Sequence, residues 1–344
     1  MVRRLSQEEA LELFQKATLL ELGEQANALR WELNPKPVAS FVIDRNINYT
    51  NICVSGCAFC AFSRPPGHPE AYVLSYEQIF QKIEELIQEA GTQILIQGGL
   101  NPELGLAWFE ELFREIKKNY PIHIHGLSPP EIYFLAKQEG LSIREVLIRL
   151  KSAGLDTIPG GGAEILSERV RNELSPNKVS ANGWLTVMRE AHKLGIHASA
   201  TMMFGSIETD EEIIEHLLKI RELQDQTNGF IAFIPWSFQP KNTKLSQILP
   251  ADGVRYLRVL AISRLVLDNV RNIQASWVTQ GAKIAEVALF FGANDFGSTM
   301  LEENVVRSAG AEFRMSKEEI IRQIRDAGLK PVQRDALYNL LREF

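Results

Sequence analysis

Strand-like and helix-like segments alternate along almost the whole chain, and this alternation limits the possible folds more than any other feature of the sequence. Apolar runs at 38–43, 92–97, 122–125, 156–158, 196–204, 229–234 and 273–277 read as strands. Between them, the residues at 76–89, 107–119, 143–153, 181–194, 210–224 and 254–268 have helical spacing, and 282–290 reads as a helix or a strand. Short strands separated by helices of about 10–15 residues predict right-handed βαβ units and a parallel sheet. Seven or eight such units fit an α/β fold of the (β/α)8 TIM-barrel type better than an open doubly wound sheet. Neither a dinucleotide-binding fingerprint nor a P-loop is present, because Gly160-Gly161-Gly162 lacks the required spacing and no Gly-Lys-Ser/Thr follows a glycine-rich loop.

Capping boxes open a first helix at Ser6-Gln7-Glu8-Glu9 and a last one at Ser316-Lys317-Glu318-Glu319, which Gly328 stops. The expected organisation is a helical extension over 1–37, a barrel over 38–310 and a helical segment over 311–344 packed on the barrel. A formal charge of −6 with scattered basic residues gives no electrostatic footprint for nucleic acid. No stretch approaches the ~20 continuous apolar residues of a membrane span. The opening Met1-Val2-Arg3-Arg4 leads into a charged amphipathic segment without a signal-peptide core, so a cytoplasmic protein is expected.

The chain has three cysteines, and all of them fall in the segment Cys53-Val54-Ser55-Gly56-Cys57-Ala58-Phe59-Cys60, directly after the first strand. An odd, tightly clustered set is a poor disulfide framework and a good metal site. Iron–sulfur clusters are normally held by four thiolates. Three thiolates on a cuboidal 4Fe-4S cluster leave one iron open, and an open iron can chelate the amino and carboxylate groups of S-adenosylmethionine (SAM). Two other readings are a structural zinc site completed by a histidine such as His68, and an electron-carrying ferredoxin-like module, which would need a fourth cysteine.

The C-x3-C-x2-C motif with Phe59 before its last cysteine resembles the radical SAM superfamily. The context Asp44-Arg45-Asn46-Ile47-Asn48-Tyr49-Thr50-Asn51-Ile52, then Ala61-Phe62, narrows the likeness to the group that includes the enzymes of futalosine cyclisation, aminofutalosine synthesis and F420-precursor (FO) synthesis. Further matches are Gln97-Gly98-Gly99, His123-Ile124-His125, Ser128-Pro129-Pro130-Glu131 and 159–164. The stretches 272–277 and 292–304 look most like the futalosine-cyclising branch, and the FO branch shares the Arg-Asn-Ile-Asn lead-in. The resemblance implies a radical SAM barrel and a small-molecule substrate, dehypoxanthine futalosine, cyclised on the way to menaquinone. It also implies a low-potential electron donor such as flavodoxin or ferredoxin.

The resemblance and the barrel topology together suggest further site residues. Gly98 and Gly99 end a strand where many relatives place Gly-Gly-Glu against the amino group of SAM, and Leu100 replaces that Glu here. Glu164 is a candidate for the SAM ribose, with Ser128 and Glu131 as weaker candidates. Ser128 could equally cap a helix, and Glu164 could be a helix N-terminal acid. His123 and His125 alternate onto one face of a strand, and His125, nearer the strand end, is the candidate proton carrier. Asn272, Gln274 and Ser276 also alternate and suggest a polar, substrate-binding wall. Asp295, Glu302 and Glu303 are candidates for the base that takes the proton lost on ring closure, with Asp295 preferred. Arg271 and Arg314 are conceivable anchors for the substrate carboxylate.

Overall fold

The computed structural model describes residues 4–344, so residues 1–3 of the expected N-terminal extension lie outside it. Helices Gln7–Lys16 and Leu19–Leu33 come first, each opened by a capping box. The chain then enters β1 (Val38–Val42) and β2 (Asp44–Ile47), one extended segment interrupted at Ile43. The strands β3 (Gln93–Ile96), β4 (His123–Gly126), β5 (Thr157–Ile158), β6 (His197–Phe204), β7 (Phe230–Ser237) and β8 (Asn272–Ile273) follow. From β2 to β8 the strands lie side by side in chain order, each parallel to the next. This is the partial TIM-type barrel that the alternation predicts, with seven strands rather than eight in the continuous ladder.

The pleat of β2, β3 and β4 explains why the barrel has a polar interior. Ile47, Ile94, Ile96 and Ile124 point outward and are fully buried under the surrounding helices. The helix Tyr76–Gln88 supplies one such cover through Ile79, Ile83 and Leu86. The alternate residues Asp44 and Asn46 of β2 point inward, as do Gln93 and Leu95 of β3. The register stacks Asp44, Gln93 and His123 in one layer and Asn46, Leu95 and His125 in the layer above.

β9 (Asp295–Ser298), β10 (Lys330–Arg334) and β11 (Leu340–Glu343) complete the molecule. They form a second sheet in the order β11-β10-β1-β9, and a parallel bridge between Gln274 and Asp295 joins it to the end of β8. The segment 311–344 is therefore not helical throughout. Its helix Lys317–Asp326 ends near Gly328, whose φ of 74° turns the chain into β10. β10 then pairs in parallel with the side of β1 that β9 leaves open.

Two other expectations change. The strand expected at 273–277 stops at Ile273. Trp277 starts a short helix, with its indole N–H donating to the Ser298 carbonyl (2.9 Å), and the Ser276 N–H bonds to the Tyr256 hydroxyl (2.7 Å), so both are drawn off the ladder. Residues Ala282–Ala288 are helical. Among the described residues no helix is long and apolar enough to cross a membrane.

Candidate active site

The cysteine loop starts where β2 leaves the barrel, at the C-terminal ends of the strands, and backbone bonds clamp it on several sides. Cys53 N–H donates to Arg64 O (2.9 Å), Val54 N–H to Leu100 O (3.1 Å) and Ala58 N–H to Leu174 O (2.8 Å). The second glycine after β3 lies against this loop. A Cβ on Gly99 would sit 2.1 Å from the Ile52 carbonyl oxygen and 2.9 Å from Cys53 Cβ, and one on Gly98 would meet the Tyr49 ring at 2.7 Å. Neither glycine has a positive φ. Both are required by the closeness of the neighbouring chain, not by backbone conformation.

Glu131 ties these parts together. Its buried carboxylate accepts from the Tyr49 hydroxyl (2.7 Å), the Gly98 N–H (3.0 Å), the Ser128 N–H (2.7 Å) and the Ser128 hydroxyl. Burial raises its pKa, and these four donors oppose the rise. The Ser128 hydroxyl is thus engaged with Glu131 in the capping arrangement of helix Pro129–Glu139.

Glu164 belongs to a second cluster beside the cysteines. It has a positive φ of 41° and no place in a helix; the next helix is Glu168–Leu174. Its carboxylate pairs with Lys178 (3.0 Å) and with buried Arg171 (3.4 Å). Burial alone would lower the Lys178 pKa, but Glu164 and Cys57 raise it further than burial lowers it. Burial likewise pushes the Cys57 thiol up, and the Lys178 ammonium pulls it back. The Lys178 ammonium also lies 5.3 Å from the centre of the Phe59 ring.

Below this rim a cavity of about 270 Å³ penetrates the barrel. Leu95, Ile234, Trp236, Trp277, Val278 and Met300 give it apolar walls. Its polar lining comes from the inward layers of β2 to β4 together with Gln97, Gln274, Glu303 and Arg334. His125 lines it and shares its Nδ1 with the Thr157 hydroxyl (2.7 Å), which also meets His123 Nε2 at 2.7 Å. Burial pushes the His125 pKa down to about 3, so its imidazole is neutral at neutral pH and can only exchange protons from that form. His123 stays out of the cavity lining.

Of the other expected residues, Gln274 and Ser276 line the cavity and Asn272 does not. Asn272 donates to Ile231 O (2.9 Å) and accepts from Asn294 Nδ2 (3.0 Å), because β8 ends before the alternation can carry all three residues onto one wall. Asp295 is also outside the lining. It is fully buried, chelated by Arg334 (2.5 and 3.0 Å), and it accepts from Ser40 Oγ (2.6 Å) and Gly297 N–H (3.0 Å). A carboxylate so fully engaged is a structural ion-pair partner and has no access to a substrate proton. Glu302 bonds Arg45 and Lys82, whereas Glu303 caps three backbone N–H groups of 305–307 at the cavity edge and has a pKa raised by burial. Arg271 is exposed and bonded to Asn34, and Arg314 is exposed outside the cavity.

Sequence reading missed Asp44, Gln93 and Arg334, all of which line the cavity. The alternation Asp44, Asn46, Asn48 was a usable signal, since it sets polar residues on one face of a strand destined for burial. Arg334 gave none, because 311–344 was expected to be a helical segment with no strand after the Gly328 stop.

This curled parallel sheet, with a three-cysteine loop above a polar cavity, is the architecture of one class of enzymes. The chain belongs to the radical SAM superfamily: residues 47–220 match the family described as "Radical SAM superfamily", and 227–343 match "CofH/MqnC C-terminal region". It is 46% identical over 345 residues to the cyclic dehypoxanthine futalosine synthase of Halalkalibacterium halodurans, spanning 99% of this chain and 92% of that one. It is 43% identical over 351 residues to the 5-amino-6-(D-ribitylamino)uracil--L-tyrosine 4-hydroxyphenyl transferase of Methanocaldococcus jannaschii, spanning 98% of each. The crystal structure of methylornithine synthase (PylB) shares the fold, with a TM-score of 0.77 at 18% identity over 96% of this chain and 95% of that one.

Membership implies a 4Fe-4S cluster and SAM, and the donor set fits. Among the described residues no three His, Cys, Asp or Glu side chains converge where a single metal ion would sit, and His68 Nδ1 instead accepts the Glu70 N–H (3.1 Å). Three sulfurs spread along one loop suit separate irons of a cuboidal cluster better than a zinc ion.

Proposed function

We propose that this enzyme closes the ring of dehypoxanthine futalosine, on the route to menaquinone, with Cys53, Cys57 and Cys60 holding a 4Fe-4S cluster that keeps one iron open for SAM. The observation that carries this reading is the 46% identity across 99% of the chain to a protein named for that reaction. When bound, the cluster and SAM supply a 5′-deoxyadenosyl radical that removes one hydrogen atom from the substrate ribose. The substrate sugar would then join the aromatic ring, and the adduct would lose one proton to His125 and one electron to the low-potential carrier that supplied the first, giving a closed-shell product. The rim formed by the Gly98-Gly99 backbone, Ser128 and Glu164 holds SAM. The paired charges of Glu164, Lys178 and Arg171 position that carboxylate, while the tight Gly99 contact sets the height of the cysteine loop. Trp236, Trp277 and Met300 keep water from the radical. Gln274 and Ser276 contact the substrate, and neutral His125 takes the proton. A low-potential flavodoxin or ferredoxin supplies the first electron, and the protein works in the cytoplasm.

A second reading has support of its own. The similarity to the tyrosine 4-hydroxyphenyl transferase is almost as high, and the same cavity could hold a diaminouracil and a tyrosine-derived fragment. Anaerobic turnover with SAM and a reductant separates the two. The expected outcome is a product two hydrogens lighter than dehypoxanthine futalosine, with one 5′-deoxyadenosine per product. Conversion of tyrosine plus 5-amino-6-(D-ribitylamino)uracil, with the futalosine compound left intact, would replace the first reading by the second.

A further inference from the structure

Arg334 is the only cation in the cavity lining among the described residues, and it is itself 3% exposed. Its side chain is held firmly. Nε and one N–H of Nη2 chelate Asp295, one N–H of Nη1 donates to Asp335 O (3.1 Å), and the guanidinium carbon sits 3.8 Å from the centre of the Tyr338 ring. A guanidinium carries five N–H donors. Three are used, and the two left without a protein acceptor are one on each terminal nitrogen. Free donors on both terminal nitrogens can serve the two oxygens of a carboxylate.

The surroundings are those of an anion site rather than a cation site. Beside Arg334, the Asp44 carboxylate is bonded only by neutral donors, Gln93 Nε2 (2.9 Å) and the Ser298 hydroxyl. Burial raises the Asp44 pKa, which Ser298, Gln93 and Arg334 oppose and Asp295 reinforces. The ionisable groups facing this layer are Arg334 from β10, Asp295 from β9, His123 and, one layer above, His125 from β4, and Glu303 and Tyr338 at the cavity edge. The charge on Arg334 is already balanced by Asp295, so an incoming carboxylate is accommodated best when Asp44 carries a proton.

We infer that the floor of the cavity is a carboxylate-binding site, in which the free donors on the two terminal nitrogens of Arg334 receive the aromatic carboxylate of the substrate and Asp44 sets the pH range of binding. This deepens the proposed function and rests on it. It places the aromatic end of the substrate in the lower layers of the barrel and the ribose toward the SAM rim. It also makes the carboxylate a specificity element that Arg271 and Arg314 cannot provide.

Equilibrium binding to the full-length protein, carrying its cluster and SAM but no reductant, tests the inference without turnover. Dehypoxanthine futalosine is compared with its carboxamide. The acid should bind roughly 10–100-fold more tightly than the amide, as a charge-assisted pair of about 1.5–3 kcal/mol requires. Its affinity should fall as pH rises through the elevated Asp44 pKa, while that of the amide stays flat. Asp44→Asn keeps the shape and an acceptor, and should tighten acid binding above that pKa and abolish its pH dependence. Because an Arg334 variant leaves Asp295 unpaired, Arg334→Gln is made together with Asp295→Asn, and this pair should bind acid and amide alike. Equal affinity of the native protein for both, or an Asp44→Asn variant with an unchanged pH profile, would overturn the site even where turnover proceeds. If neither compound binds while tyrosine and the diaminouracil are converted, the functional reading itself falls and the inference with it.

Discussion

The buried charged and polar groups of this protein divide into those that are fully matched and those left partly open toward the cavity. Glu131 is of the first kind, with four donors on one carboxylate. Glu131→Gln turns an amide N–H₂ toward donors that need an acceptor, and each buried donor left unpaired costs about 1–3 kcal/mol. A lowered thermal midpoint together with less iron per chain is expected, because Gly98 and Tyr49 lose their common partner next to the cysteine loop. A normal midpoint and full iron loading would show that these bonds do not hold the loop. His216 offers a second test at this scale. It is fully buried, Nδ1 accepts from Leu166 N–H (3.1 Å), and burial pushes its pKa down to about 3. A depressed histidine pKa means that the unfolded chain binds the extra proton, so stability is full above the unfolded value of about 6.5 and is lost as pH falls. Between pH 7 and pH 5 this group should remove roughly 2 kcal/mol. Denaturant titrations of His216→Asn, which keeps an acceptor for Leu166, should show a smaller loss across that window than the native chain.

At the scale of elements, the outcome turns on which strands hold their neighbours. The long apolar runs of β3, β6 and β7 were legible because burial on both faces demands continuous hydrophobicity. β5 and β8 are two residues each, and β9 and β10 carry Asp, Gly, Lys, Pro, Gln and Arg, residues that no propensity assigns to a strand. Tertiary pairing with β1 makes the latter two strands. The same pairing brings Asp295 and Arg334 together across β1, which explains why a residue that looked catalytic is a structural anchor. Asp295→Ala is expected to destabilise the fold by about 3–5 kcal/mol, the usual result of leaving one member of a buried pair alone. Chemical denaturation measures it, and an unshifted midpoint would return Asp295 to the list of reactive groups. Gly99→Ala tests the loop contact in the same way. Its methyl group must displace the Ile52 carbonyl, so iron content should fall well before secondary structure does.

Taken as a whole, the molecule separates its chemistry from its stability. The large apolar core runs through the helices and the outward faces of the strands and includes none of the three cysteines. The cysteine motif was plain in the sequence because its ligand count and spacing are local. The cavity was only half legible, since its floor is assembled from residues nearly 300 positions apart, between Asp44 and Arg334. Replacing all three cysteines by alanine should therefore leave the far-ultraviolet circular dichroism spectrum unchanged while abolishing iron binding and 5′-deoxyadenosine formation. Loss of the folded spectrum would make the cluster a part of the scaffold.

The strand β10 carries Arg334 to the floor of the cavity, 290 residues after Asp44 and 39 after Asp295. During synthesis, Asp44 and Asp295 leave the ribosome before the cation that pairs with Asp295, so the nascent barrel holds uncompensated carboxylates until β10 has been made. Termination between Cys60 and that strand would produce a chain with every cysteine and no finished pocket, able to acquire iron yet unable to hold a substrate.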